Sequence, residues 1–310
     1  MQRQLVRDDL TFGIVIPFFK NDAYLCELLN SIHNQSCQSY EVLLVDDSPK
    51  QLLKISDVVS DLGAKYSILE NGANLGPFTT WNNGLREMMG REKYCLVAIV
   101  HEDDLLHRDY IKNSLQYFVN FPEIDVFHSK VRIIGHKGGR KFSVQDAYKN
   151  FVKQGFRGKP LFTALDDGLS RVLRNNYIFC PSMIFNVRKF NEIEFDTRWE
   201  MVGDLDFVSK ALLDGRSILR LPNKNYFYRR HRDNLTAVLT RTSKRFEEEI
   251  QLYRELEVKC LESGYVNSAK ASKSARVIKL HIAYRITLAL FRFDFVNSRI
   301  LFSILLTVGR

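Results

Sequence analysis

The sequence has little of what would mark an unusual chain. Seven prolines and sixteen glycines among 310 residues, scattered rather than clustered, exclude a collagen-like or linker-rich protein. Five cysteines (Cys26, Cys37, Cys95, Cys180, Cys260) form no CxxC pair and are odd in number, so neither a structural zinc site nor a disulfide framework is expected, and a reducing compartment is the simplest reading. The first residues, MQRQLVRDDLTF, lack the apolar stretch of a signal peptide, and no uncharged apolar run of membrane-spanning length occurs. What remains is an ordinary globular composition, 45% hydrophobic and 26% charged, sufficient for one large domain or two modest ones.

The net charge of +9 is unevenly placed. Residues 264–310 carry eight basic side chains against one acidic, Asp294, a surplus of seven that leaves the rest of the chain near neutral. A nucleic-acid binder would carry a basic face on its body, so no nucleic-acid partner is expected.

The first half alternates strand-like and helix-like segments. Phe12–Pro17, Glu41–Val45, Tyr66–Glu70 and Cys95–Val100 read as strands, with helices over Tyr24–Gln35, Leu52–Leu62 and Thr79–Met89. Such alternation predicts βαβ units, a mostly parallel sheet covered by helices on both faces, and ligands at the carboxyl ends of the strands. The stretch from His136 to Pro160 reads as a connection or lid, Asn176–Phe185 as a further buried strand, and Glu200–Leu213 and everything from Arg241 onward as helical.

Carboxylates after apolar strands are costly unless paired or liganded. Asp46-Asp47 follows the second strand and, taken alone, fits a turn, since Asp-Asp-Ser-Pro is good turn chemistry. Glu102-Asp103-Asp104 follows the fourth; three neighbouring carboxylates repel unless a cation holds them, and hard oxygen ligands suit Mg²⁺ or Mn²⁺. Asp204, near a helix start, either complements the helix dipole or serves as a general base.

In their order these segments resemble a family 2 glycosyltransferase of the GT-A fold: IVIPFFKND, YEVLLVDDSP, NLGPFTTWNNGL, VHEDDLLHRDYI, VGDLDF and YFYRRHRDNLT, over residues 12–236. The resemblance implies a Rossmann-like nucleotide-binding sheet with a C-terminal helical extension, divided by role into a nucleotide-sugar-binding half (10–115), an acceptor-binding and catalytic half (116–238) and a basic, apolar helical extension (239–310). It implies that Pro17, Phe18 and Phe19 line the donor nucleotide, that Asp47 bonds the base, and that Asn74 and Gly76 form the Asn-x-Gly loop, with Asn83-Gly84 following. His101-Glu102-Asp103 takes the DxD position, so Asp103 would ligate the cation (Mn²⁺ or Mg²⁺) with Asp104 beside it orienting the loop, while Glu102 would face the ribose or support the metal. Arg230 and His231 would meet the diphosphate, and Asp204 would be the catalytic base. Two departures stand out: His101 replaces the first Asp of DxD, and Gly203 replaces the Glu before the base.

The implied activity is inverting transfer of a sugar from a nucleotide-sugar donor, UDP-linked, to a hydroxyl of a saccharide or lipid-linked saccharide during surface polysaccharide synthesis, in the cytoplasm and at the inner face of the membrane. The alternative is a GT-A module that binds nucleotide or sugar without catalysis, which His101 favours and Asp103, Asp104 and Asp204 oppose. A nucleotidyltransferase would show a Gly-rich phosphate loop after the first strand, and IVIPFFKND has no glycine there. Among the aromatic residues of the middle segment, Tyr148, Phe151, Phe156, Phe162 and Trp199 are candidates to stack on sugars or to anchor core and loops. In the tail, Arg285, Arg292 and Arg299 recur every seven residues and would form one stripe on a continuous helix, fitting peripheral membrane contact through 276–308, packing on the body, or a homodimer through the same helices.

Overall fold

The computed structural model describes residues 10–19, 22–48, 63–136, 138–139, 161–175, 177–231 and 244–309. They fall into two compact units: Met1–Phe162, Ile178–Thr197 and Ser217–Arg230 form one, and Thr163–Tyr177, Arg198–Arg216 and His231–Arg310 the other. The expected helix over Leu52–Leu62 and most of the stretch from His136 to Pro160 lie outside the described residues.

The first unit is α/β. Its apolar runs form β1 (Thr11–Phe18), β2 (Tyr40–Asp46), β3 (Tyr66–Glu70) and β4 (Tyr94–Ile99), separated by α1 (Asp22–His33) and α2 (Pro77–Gly90). After β4 come β5 (Leu105–Leu106), α3 (Tyr110–Asn120), β6 (Val126–His128), β7 (Val131–Gly135), β8 (Leu161–Thr163), β9 (Met183–Asn186), β10 (Ile218–Arg220) and β11 (Tyr226–Arg230). The main sheet has eight strands in the order β3-β2-β1-β4-β9-β6-β10-β8. β1 runs parallel to β2 and β4, β2 to β3, and β6 to β10, whereas β9 is antiparallel to both of its neighbours. This is the expected mostly parallel α/β sheet.

Every residue of β4 is buried, as a strand covered on both faces requires. Phe12, Ile14 and Ile16 of β1 share one core with Leu25, Leu28 and Ile32 of α1 and with Tyr110 and Leu115 of α3. On α2, Phe78, Trp81, Leu85 and Met88 recur at helical spacing and are buried. A Cβ placed on Gly84 would lie 2.4 Å from Val15 Cγ1 and 2.8 Å from Val45 Cγ2, so α2 crosses β1 and β2 at a distance that only glycine permits.

A second sheet, β5-β11-β7, pairs β11 antiparallel to β5 and parallel to β7. It brings β11 beside the turn that follows β4.

The strand expected over Asn176–Phe185 is shorter than predicted. Cys180–Ser182 is a 3-10 turn and pairing begins only at Met183. Pro181 explains this, because it has no N–H for a ladder.

The second unit is built of α4 (Leu165–Asn175), α5 (Gly203–Leu213), α6 (Lys244–Glu262), α7 (Val266–Ser274), α8 (Arg276–Phe291) and α9 (Phe295–Leu305). On α6, Phe246, Ile250, Tyr253, Leu256 and Cys260 form a buried stripe, and the Tyr253 hydroxyl donates to the Leu173 carbonyl of α4 at 2.6 Å. Asp166 of α4 accepts the backbone N–H groups of Asn267 and Ser268 at 2.9 and 2.7 Å, capping α7. The single arginine stripe expected of the tail is not formed. Phe293 turns the chain at φ 58° and Asp294 caps α9 by accepting the Asn297 N–H at 3.1 Å, so Arg285 and Arg299 stand on different helices. Among the described residues, no helix is long and apolar enough to cross a membrane.

Candidate active site

Three loops follow the carboxyl ends of β1, β2 and β4, and carboxylates tie each to its surroundings. Asp46 and Asp47 do different work. Asp46 makes the turn, accepting the backbone N–H of Ser48 at 2.9 Å. Asp47 is 5% exposed and serves the loop before α2. Its Oδ1 accepts from Leu75 N at 2.8 Å and from Asn71 Nδ2 at 3.0 Å, and its Oδ2 accepts from Gly76 N at 3.1 Å. Asn74 Oδ1 also takes the Gly76 N–H at 3.1 Å, and Gly76, at φ 84°, adopts a left-handed conformation ahead of Pro77 and α2. Asn71 links onward to Thr80 and Asn83. The sequence reading overlooked Asn71, whose position just before the Asn-x-Gly loop was the available signal.

Pro17 and Phe18 end β1, and the N–H of the next residue, Phe19, donates to Glu102 Oε2 at 2.9 Å. Glu102 therefore joins the first loop to the acidic turn. In that turn His101, Asp103 and Asp104 each offer a ligand atom, all within 4.8 Å of one another. The His101 ring lies against Trp81, centroids 5.2 Å apart, and its Nε2 is shut off from solvent with no hydrogen-bond partner among the described residues. Burial pushes the His101 pKa down although Asp103 opposes it, which favours the neutral imidazole. An orphaned imidazole nitrogen beside two carboxylates fits a divalent cation.

Asp104 is fully buried. Its Oδ2 accepts the Tyr226 hydroxyl at 2.7 Å and its Oδ1 the Arg229 backbone N–H at 2.8 Å, both from β11. Burial, then the charge of Asp103, raise its pKa. Arg229, also fully buried, completes the clamp. Its Nε donates to the Asp103 carbonyl at 2.7 Å, one Nη to the His136 carbonyl at 2.8 Å and the other to Glu27 at 2.6 Å, while the guanidinium sits 4.4 Å from the Tyr24 ring centroid. Arg230 and His231, the cations singled out from the sequence, are both partly exposed at the end of the same strand. Arg229 was missed because adjacent arginines read alike until the alternation of the strand sends one of them inward.

Asp204 belongs to the helical unit, in the first turn of α5. Its Oδ1 accepts the adjacent Leu205 N–H at 2.8 Å. Burial raises its pKa to about 6, against the lowering effects of the Leu205 N–H and Arg245. The tail helix α6 furnishes this environment. Glu248 accepts the backbone N–H groups of Glu200 and Met201 at 3.1 and 2.9 Å, Arg198 pairs with Glu255, and Arg245 donates to Glu249 at 3.0 Å. Trp199 is 4% exposed and packed, whereas Phe162 is 53% exposed; Tyr148, Phe151 and Phe156 lie outside the described residues.

The sequence profile described as glycosyl transferase family 2 matches residues 13–183, more than half of the chain. The chain belongs to glycosyl transferase family 2. Within this family it is similar to the poly(ribitol-phosphate) beta-N-acetylglucosaminyltransferase TarS of Staphylococcus aureus, 29% identical over 231 residues that make up 72% of this chain and 36% of TarS. It is also similar to the minor teichoic acid biosynthesis protein GgaA of Bacillus subtilis, 22% identical over 73% of this chain and 49% of GgaA. The chain thus spans a third to a half of the length of these relatives. Among solved structures, residues 1–349 of S. aureus TarS in complex with UDP-GlcNAc align with a TM-score of 0.61 and 18% identity over 94% of this chain and 90% of that one. The Pyrobaculum calidifontis mannosyltransferase PcManGT in complex with GDP-Man and Mn2+ aligns at 0.54 and 15% identity, covering 96% of this chain and 85% of that one. These structures share the GT-A fold of the family.

Proposed function

We propose that the chain is an inverting glycosyltransferase that moves a sugar from a nucleoside diphosphate donor, UDP-linked, to a hydroxyl of a saccharide or lipid-linked saccharide in the synthesis of a surface polysaccharide. The observation that carries this reading is the acidic turn after β4, where His101, Asp103 and Asp104 gather at the end of a parallel strand. Membership of the family and the similarity to TarS and GgaA support polysaccharide synthesis.

Within this reading residues 10–115 bind the donor, 116–238 the acceptor, and 239–310 support the catalytic helix. Pro17, Phe18 and Phe19 line the nucleotide, with Asp47 at the base. A carboxylate offers about four lone-pair sites, so Asp47 can hold the Leu75 and Gly76 amides and still accept from a base. Asn74 shapes the loop, Glu102 faces the ribose, and Arg230 and His231 bind the diphosphate oxygens. His101, Asp103 and Asp104 would hold Mn²⁺ or Mg²⁺, which when bound offsets negative charge on the leaving diphosphate. Asp204 accepts the proton of the acceptor hydroxyl as its oxygen attacks the anomeric carbon and the diphosphate departs. An aspartate poised near pH 6 is mostly ionised at neutral pH yet more basic than an ordinary one.

A thermal-shift panel of nucleoside diphosphate sugars with and without Mn²⁺, followed by a transfer assay, tests this. The true donor at a hundredfold excess over its Kd should stabilise the protein by about 2.7 kcal/mol. Stabilisation without transfer to any saccharide acceptor would favour the non-catalytic module that His101 suggests, and no stabilisation by any member of the panel would remove the reading.

A further inference from the structure

The turn between α8 and α9 holds an apolar tip in solvent. Phe291 and Phe293 are each 79% exposed, Val296 74% and Phe295 64%. Leu290, Ile300 and Phe302 extend the patch along the two helices, whose own packing uses Ile278, Ile282, Ala289 and Leu301 instead. Reversing the chain does not call for these rings. Phe293 occupies a left-handed position, φ 58°, where glycine or asparagine would cost less, and it presents its ring to water there.

The surrounding charge indicates the occupant. Arg276, Arg292 and Arg299 are exposed, as are Lys270 and Lys273. The sole acidic residue of 264–310, Asp294, is engaged in capping α9. A second copy would bring the same surplus of seven positive charges to the contact, whereas an anionic surface complements it.

We propose that this tip inserts into the headgroup region of an anionic lipid bilayer. Phe291, Phe293, Phe295 and Val296 enter the acyl boundary while Arg292 and Arg299 meet lipid phosphates. Neither helix spans; the chain lies on the surface. The inference concerns membrane contact and needs no donor or acceptor for its test.

The full chain is mixed with vesicles of phosphatidylcholine alone or with added phosphatidylglycerol. Trp81 and Trp199 are 7% and 4% exposed, so in Phe293→Trp the new indole reports on the tip. Its emission should shift to the blue with phosphatidylglycerol vesicles and not with phosphatidylcholine alone, and sedimentation with the anionic vesicles should weaken as salt is raised. Phe291→Ser/Phe293→Ser/Phe295→Ser should lose about tenfold or more of this binding with unchanged thermal unfolding, and Arg292→Gln/Arg299→Gln should lose the preference for anionic vesicles. Absence of the blue shift, equal sedimentation of the triple-serine variant, or a concentration-dependent dimer that the triple variant dissolves would each overturn the proposal, the last by assigning the tip to a second copy.

Discussion

Asp47 and Asp204 are the same residue type in two regions built differently, and the contrast separates a carboxylate held by a loop from one held chiefly by its own helix turn. In the α/β unit, Asp47 accepts three N–H groups and fixes the loop before α2; Asp104 is likewise held by Tyr226 and Arg229. In the helical unit, Asp204 accepts the adjacent Leu205 N–H of its own helix turn and burial raises its pKa to about 6. Burial raises the pKa of Asp104 as it does that of Asp204, so the two regions differ in how many donors fix the carboxylate and not in the direction of that shift.

Four measurements break or sharpen this contrast. The largest effect is expected for Asp204→Asn, which should lower single-turnover transfer by about 10²–10⁴-fold while calorimetry finds donor affinity unchanged; equal losses in both would make Asp204 a binding residue. Next, Arg229→Met should lower stability by about 3–5 kcal/mol in denaturant unfolding, because Glu27 and the carbonyls of Asp103 and His136 lose a buried cation. Arg229→Lys should recover only part, since one ammonium cannot reproduce the fork. Third, Asp47→Ala leaves the Leu75 and Gly76 amides without their acceptor, and should cost about 1–3 kcal/mol in stability with weaker nucleotide binding. An unchanged loop and unchanged affinity would deny Asp47 the organising role.

The smallest effect is in pH. Asp204 retains its proton up to about pH 6 in the folded chain, against roughly 3.9 when unfolded. Between those values the native state binds the extra proton, so its contribution to stability falls as pH rises through the window and is constant above it. Transfer should move oppositely, rising through pH 6 to a plateau. Asp204→Asn should abolish both trends, and at neutral pH should stabilise the fold by roughly 3 kcal/mol at most, the worth of about two pKa units.

Much of the architecture was legible because its signals are local. The apolar runs of β1, β2 and β4 and the periodicity of α2 gave the parallel sheet, and carboxylates at strand ends pointed to the acidic turn. Local rules also account for both corrections: Pro181 interrupts a strand, and Asp294 starts a helix that divides the tail. The turn that Asp-Asp-Ser-Pro announced is made by Asp46, whereas the hold of Asp47 on the loop before α2 joins residues 28 and 29 positions apart and could not be read in one dimension.

By itself the sequence determined the fold class, the family and the candidate carboxylates, since hydrophobic period and motif order are properties of neighbours along the chain. Only the tertiary structure decided that Arg229 rather than Arg230 is the buried cation of the acidic turn, that Glu248 and Arg245 of the tail helix α6 surround the segment carrying Asp204, and that the tail folds back to expose its phenylalanines. Burial and polar compensation depend on partners 48 to 202 positions away in sequence, such as Glu27 with Arg229 and the Glu200 backbone N–H with the Glu248 carboxylate, and those pairings exist only once the chain has closed around them.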